Sequence, residues 1–351
     1  MNNELLTLPQ TELAALIESW GFPRFRAKQV YEWLHRHHCS TYDEMSNVPA
    51  AVRMQLAEAF PLDTFTLFDR QVSQDGTRKY VFKLNDERLV ETVGMPIFDR
   101  DGSLDRLSVC ISSQVGCPMA CAFCATGREG FTRNLNAAEL VQQVAYVQKD
   151  FDARVSNIVV MGQGEPFLNY DEVISALRIM NSNDDLNIGA RHITISTCGI
   201  LKGINRLAGE PEQFTLAISL HSAVQATRDR LMPQVAQQTL PELKNALAHY
   251  IKSTNRRVSF EYLLIKGVND SPRDLDALIE FCSGLLCHVN LLPMNPIEGS
   301  AYQPATAQTA SSWVDKLSAH GIETSMRKSR GADIDGACGQ LKNKLVSRET
   351  T

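Results

Sequence analysis

The chain has 351 residues, 44% of them hydrophobic, with 35 Lys and Arg against 40 Asp and Glu and a formal net charge of -5. These totals can fill the core of one large α/β domain plus a small one, and they exclude a protein coated in basic surface without excluding a local basic patch. No apolar run reaches the roughly 18 residues of a membrane span and no secretory leader is visible, so the expected compartment is the cytoplasm. Nine cysteines, odd in number and clustered, point to metal binding or catalysis in a reducing environment and away from a disulfide framework.

Taken in chain order, residues 1–63 read as a small domain of short amphipathic helices. "TELAALIESWGF" sets Leu13, Leu16, Ile17 and Trp20 on one face, "RAKQVYEWLHRHH" does the same with Val30, Trp33 and Leu34, and Pro23 and Pro49 punctuate them. Residues 64–108 change to strands with turn signals at Asp75-Gly76, Asn85-Asp86 and Asp101-Gly102, an antiparallel ribbon joining two domains. Over residues 109–351, "SVCISS", "NIVVMG", "HITISTC", "FTLAISLH", "RVSFEYLLI" and "CHVNLLPM" alternate with helical patterns at 137–149, 171–181, 200–208, 239–253, 272–284 and 306–320. Alternation of this kind predicts a parallel sheet with right-handed crossovers. Six units fall short of the eight that close a full barrel, so the expected fold is α/β, a partial (β/α)6 barrel.

Directly after the first of those strands comes "VGCPMACAFCATG", in which Cys117, Cys121 and Cys124 have the spacing C-x3-C-x2-C. A structural zinc site wants four ligands, commonly in two pairs, and no second C-x2-C or His pair follows at finger-like distance. Three closely spaced thiolates suit a [4Fe–4S] cluster with one iron open to a small molecule. Polar or glycine-rich features end the other strands on the same barrel face: Gly162, Gly164 and Glu165 in "MGQGEP", Ser196 in "ISTCG", Ser219 and His221 in "SLH", and Asn295 in "MNP".

At this point the chain resembles the radical S-adenosylmethionine superfamily, which shares the three-cysteine loop, the Gly-Glu-Pro segment and the partial barrel. The order of "VETVGMP", "CISSQVGC", "MGQGEP", "ISTCG", "SLHS", "MNP" and "RGADIDGACGQL" is similar to that of one branch, the dual-specificity RNA adenine-C2 methyltransferases that act on 23S ribosomal RNA and transfer RNA. The resemblance implies Cys117, Cys121 and Cys124 as cluster ligands, and Gly164, Glu165, Ser196, Ser219, Leu220, His221 and Asn295 as contacts of S-adenosylmethionine, two of which are consumed per turnover. It also implies that Cys338 is the methyl-carrying thiol, that Cys110 is the resolving thiol forming a transient disulfide with Cys338, and that Glu91 is the proton acceptor. Adenine C2 lies between two ring nitrogens and is electron-poor, so it does not attack a methyl sulfonium directly. In the implied route a hydrogen is abstracted from S-methylated Cys338, the methylene radical adds to C2, and Cys110 releases the base by thiol–disulfide exchange. An external electron donor and a disulfide reductant are then required.

Cys39, Cys198, Cys282 and Cys287 match no role in that branch and are read as structural. The chain departs from the family in Gln163, where an apolar Met is usual, in Cys198, where Ser is common, and in a shorter N-terminus. RNA affinity needs local positive charge. Candidates are Arg24, Arg26, Lys28 and Arg36, beside Phe25, Tyr31 and Trp33, and a second group, Arg327, Lys328 and Arg330, just before Cys338. The target base must leave its stack to reach Cys338, which favours unpaired adenosines. A monomer is the default. Other readings are the C8-methylating ribosomal antibiotic-resistance relative, a radical enzyme acting on a small molecule, and, from a different class, a non-catalytic RNA-binding protein with a structural zinc site.

Overall fold

A computed structural model describes residues 4–60, 62 and 65–341. The expected boundary between residues 63 and 64 therefore lies outside the described residues. Four helices open the chain: α1 (Glu4–Thr7), α2 (Gln10–Ser19), α3 (Arg26–His35) and α4 (Ala50–Ala59). Pro9 and Pro49 stand immediately before α2 and α4, where a missing N–H costs nothing. The apolar stripes face inward, with Leu13 and Ile17 from α2, Val30 and Leu34 from α3 and Val52 and Leu56 from α4 in one cluster of their own. Ala138 belongs to that cluster too and joins it to the barrel. A second tie is polar: His35 Nδ1 lies 2.5 Å from Asp185 Oδ2, with both side chains buried, and Tyr31 stacks on the imidazole at 3.9 Å.

The ribbon is an antiparallel meander of β1 (Thr66–Val72), β2 (Arg78–Lys83), β3 (Leu89–Phe98) and β4 (Leu104–Cys110). It does more than link two domains. β4 pairs in parallel with β7 (Asn157–Val160), so the ribbon continues the barrel sheet, whose order is β1-β2-β3-β4-β7-β8-β9-β10-β11-β12. The further strands are β8 (Ile193–Thr197), β9 (Thr215–Ser219), β10 (Val258–Leu264), β11 (Cys287–Pro293) and β12 (Glu323–Met326), all parallel to their neighbours.

The six alternating units are present, and β12 adds a seventh parallel strand beside β11 that the sequence pattern does not announce. Four residues, "ETSM", carry too little alternation to register as a strand, and only pairing with β11 makes them one. A small hairpin, β5 (Gln114–Gly116) with β6 (Phe131–Asn134), flanks the three-cysteine loop, with α5 (Ala125–Glu129) inside it.

The outer layer holds α6 (Ala137–Phe151), α7 (Tyr170–Asn181), α8 (Leu201–Leu207), α9 (Gln225–Leu231), α10 (Leu240–Thr254), α11 (Pro272–Cys282) and α12 (Ala307–Ala319). Three of these start with reciprocal caps, Asn136 with Glu139, Thr239 with Glu242 and Ser271 with Asp274, each satisfying two otherwise orphaned N–H groups. Their inner faces and the strands share one large core. Among the described residues no helix is long and apolar enough to cross a membrane.

Candidate active site

The C-terminal ends of the parallel strands open into a continuous cleft. Its deeper part is lined by Cys117, Cys121 and Cys124 on one side and Ser196, Ser219 and His221 on another, a concave setting with a few convergent polar groups of the kind that holds a cofactor. Cys117 and Cys121 are buried and Cys124 is half-buried. The loop is held tightly: Cys117 N–H donates to the Gly130 carbonyl, Cys124 N–H to the Cys121 carbonyl, and Ala122 N–H to the Leu231 carbonyl. A side chain at Gly127 would place its Cβ 2.9 Å from the Cys121 nitrogen, so only glycine lets α5 close on the loop.

Among the described residues no three His, Cys, Asp or Glu side chains gather closely enough to hold a single metal ion. The three thiols of the loop nevertheless line one cavity, and their chemistry is that of an iron–sulfur donor set. Burial pushes the Cys117 thiol up to about 12, and Cys121, Cys124 and Glu165 push it the same way. Thiols held up in this way would deprotonate on binding a cation that offsets their charge, as metal ligands do.

The strand ends are braced by residues that the sequence pattern leaves unmarked. Arg228, buried, donates to the carbonyls of Ser219 (3.0 Å), Leu220 (2.5 Å) and Cys198 (2.6 Å), tying the ends of β8 and β9 together. Glu165 is buried with its carboxylate spent on main-chain donors, Phe167 N–H at 3.1 Å and Cys198 N–H at 2.7 Å, and burial raises its pKa against those bonds. Gly164, at φ +106°, lets the chain pass over Ser113 and Gln114. Ser196 Oγ and Ser219 Oγ lie 3.4 Å apart.

His221 Nδ1 accepts from Leu263 N–H at 3.1 Å, and Phe123 meets the ring edge-on at 4.6 Å. Burial first, then Arg228, lowers the His221 pKa to about 3, so the imidazole is neutral. Leu220 is the expected cofactor contact that does not line the cleft; its side chain is in the core and its carbonyl is taken by Arg228.

The outer part of the cleft is lined by both Cys110 and Cys338. Cys110 ends β4 opposite Val93 and packs with Val93 and Leu341. Cys338 is exposed on the loop that follows β12. Four bonds dock that loop onto the cluster loop and β11: Ala125 N–H to the Gly339 carbonyl, Thr126 Oγ1 to the Leu341 carbonyl, Asn295 Nδ2 to the Cys338 carbonyl and Gln340 Nε2 to the Pro296 carbonyl. The β1–β2 turn grips its other flank, with Ser73 Oγ donating to Asp333 Oδ1 at 2.6 Å and the Gly331 N–H donating to the Asp75 carboxylate at 3.4 Å. The ribbon thereby acquires a role, as the seat of the Cys338 loop.

Arg327 follows β12 directly and lines the cleft beside both thiols. Its Nη1 lies 3.4 Å from Glu261 Oε2, and Glu261 Oε1 accepts from Asn290 at 2.7 Å. Burial pushes the Cys110 thiol up to about 12 with Cys338 adding to the rise, while Arg327 opposes it. Although the residue as a whole is exposed, desolvation of its sulfur inside the cleft raises the Cys338 thiol, and Arg327 again opposes. Arg327 belongs to the basic group expected to hold phosphate, and the structure places it beside the two thiols; Glu261 and Arg228 were not legible as site residues because nothing local in the sequence marks them.

Glu91 lies on the same face of β3 as Val93 and Met95, and Met95 lines the cleft. Glu91 itself is buried below that lining, 3.5 Å from Lys79 Nζ, which is also buried. Gln163 earns its departure from an apolar residue here, since its side-chain oxygen takes the Glu91 N–H at 3.1 Å. The N-terminal basic stretch is partly neutralised: Arg24 faces Glu18 at 3.7 Å, Arg36 faces Asp184 at 3.8 Å, and His35 is internal. Phe25 is exposed.

Residues 111–282 match the radical SAM superfamily and residues 3–61 match the ribosomal RNA large subunit methyltransferase N-terminal domain. Two curated relatives, both described as "Probable dual-specificity RNA methyltransferase RlmN", align over almost the whole chain. That of Clostridium novyi is 41% identical over 97% of this chain and 98% of its own length, and that of Synechococcus elongatus is 44% identical over 94% and 91%. The chain belongs to the RlmN family of radical SAM RNA methyltransferases. A crystal structure of a radical SAM methyltransferase from Sphaerobacter thermophilus superposes on it with a TM-score of 0.90, at 41% identity over 96% of this chain and 98% of that one. Membership in the radical SAM superfamily implies a [4Fe–4S] cluster and S-adenosylmethionine as the cofactors.

Proposed function

We propose that this protein methylates C2 of an adenosine in both 23S ribosomal RNA and transfer RNA, using two S-adenosylmethionines per turnover, with Cys338 as methyl carrier and Cys110 as resolving thiol. The single observation that carries the reading is that Cys110 and Cys338, from opposite ends of the barrel, line one cleft with Arg327 and the cluster loop. The relatives' description as dual-specificity RNA methyltransferases supports two RNA substrates, the match of residues 3–61 supports ribosomal RNA as one of them, and the proposed compartment is the cytoplasm.

When bound, the cluster supplies the electron that cleaves the sulfonium of S-adenosylmethionine. Every other step belongs to the chain. The Cys338 thiolate would take a methyl group from the first S-adenosylmethionine, leaving S-adenosylhomocysteine, and its S-methyl would later give up a hydrogen atom that ends on the deoxyadenosyl group released from the second. The methylene carbon would bond to C2, and the adduct would pass its C2 proton to a carboxylate base and one electron to an external one-electron acceptor. Cys110 thiolate then attacks the sulfur of Cys338: an S–S bond forms, the S–CH2 bond breaks, and its electron pair stays with the base and takes up a proton. An external reductant restores both thiols.

Arg327 favours the thiolate form at both cysteines, in the direction opposite to burial. Glu91, held by Lys79, is the proposed acceptor of the C2 proton. Residues 1–63 are the proposed RNA-binding accessory domain, residues 64–108 the extension that seats the catalytic loop, and residues 109–351 the barrel with that loop. Mass mapping of nucleosides from ribosomal and transfer RNA treated with the reconstituted enzyme tests the reading. 2-Methyladenosine in both RNAs is expected, and 8-methyladenosine assigns the chain to the C8 reaction.

A further inference from the structure

Cys198 carries no role in the reaction above, and the sequence pattern marks it only as a departure. In the structure its Sγ lies 4.0 Å from Sγ of Cys121, within hydrogen-bond distance for sulfur, and it lines the same cavity as the three-cysteine loop. Nothing about its position is loose. Its N–H donates to Glu165 Oε2 at 2.7 Å and its carbonyl accepts from Arg228 Nη2 at 2.6 Å, so both sides of the residue are fixed by buried charged groups. Gly199, at φ +96° with the Arg228 guanidinium 3.1 Å from where its Cβ would be, fixes the turn that follows.

We infer that Cys198 is a positioning residue for the iron–sulfur cluster, its thiol donating an S–H···S hydrogen bond to the cluster-bound Cys121 sulfur and so raising the reduction potential of the cluster. The inference rests on the reading of Cys121 as a cluster ligand. Without iron either sulfur could donate, but an iron-bound Cys121 is a thiolate and has no proton, so Cys198 becomes the donor. The more reduced a cluster is, the more negative charge its sulfurs carry. A donor aimed at one of them therefore stabilises the reduced form over the oxidised one. The residue acts through Cys121 and touches neither RNA nor the reacting carbon.

The test is an anaerobic redox titration of the reconstituted holoenzyme, followed by electron paramagnetic resonance, with iron content measured alongside. Cys198→Val keeps the volume and removes the donor; Cys198→Ala removes the donor and opens space. Both variants are expected to hold the same iron as wild type and to titrate at a more negative potential. An unmoved potential in Cys198→Val with full iron overturns the inference. Loss of the cluster in both variants also overturns it, because Cys198 would then hold the cluster and not tune it. Full iron in Cys121→Ala is distinguishable from either result: it removes Cys121 from the ligand set and the inference with it.

Discussion

Asn295 Nδ2 donates to the main-chain carbonyl of Cys338 at 3.2 Å while its Oδ1 accepts from Ser329 Oγ at 2.6 Å. One side chain at the end of β11 thus fastens the loop on both sides of Arg330, and it does so while lining the cleft assigned to S-adenosylmethionine. Asn295→Ala removes two neutral hydrogen bonds, each worth about 0.5–1.5 kcal/mol. We expect S-adenosylmethionine affinity, measured by calorimetry on cluster-loaded protein, to fall roughly ten-fold, equivalent to about 1.4 kcal/mol, with iron content unchanged. Unaltered affinity would take Asn295 out of the cofactor site.

Replacing any one of Cys117, Cys121 or Cys124 by Ala should abolish methylation of both RNAs and strip most of the iron, because the loop offers no substitute thiol in the same register. Colour, iron content and nucleoside analysis read this directly. A variant that keeps its full iron and activity would contradict the ligand assignment at that position.

The parts of this site that were legible in the sequence are those encoded locally. Cys117, Cys121 and Cys124 sit within one loop, and Gly164, Ser196, Ser219, His221 and Asn295 each follow a recognisable strand, so their common end of the barrel could be read from the alternation alone. Leu220 was the exception, because a residue between two pocket residues on an extended segment points its side chain the other way. Lys79, Arg228 and Glu261 were not legible, because their meaning comes from tertiary partners, Glu91, the ends of β8 and β9, and Asn290 respectively; Arg327 was legible as part of a basic group but not as the neighbour of the two thiols. β12 escaped for the same reason: its pairing with β11 is the only thing that makes "ETSM" a strand, and it is β12 that delivers Arg327 to the cleft.

Lys79 and Glu91 form an ion pair with both side chains almost fully buried. Removing one partner leaves the other charge uncompensated in the interior, so Lys79→Met is expected to cost about 3 kcal/mol or more of stability. The double variant Lys79→Met/Glu91→Leu should recover most of that loss. Urea denaturation of wild type and both variants measures it, and equal stability of the single and double variants would show that the pair is not coupled.

Burial holds His221 at about 3, below its ordinary 6.5. Between those values the unfolded chain binds a proton that the folded chain does not, so the contribution of this group is complete above pH 6.5 and is lost as pH falls toward 3. The slope is at most about 1.4 kcal/mol per pH unit. His221→Asn keeps an acceptor for the Leu263 N–H but cannot titrate. Its stability, compared by denaturation at pH 7 and pH 5, should fall less than that of wild type. Parallel losses would mean that His221 is not the group responsible.

The central claim is a division of labour between two thiols in one cleft, and Cys110→Ala tests it most directly. Neither methylation of Cys338 nor its bonding to adenine uses Cys110, so this variant should complete both steps and then stall. Protein expressed in cells should run on denaturing gels with RNA attached, and mass spectrometry should place the link at Cys338. Cys338→Ala, and the double variant, should carry no RNA. Normal turnover by Cys110→Ala, or cluster-loaded protein with methylated Cys338 and no attached RNA, would contradict the account.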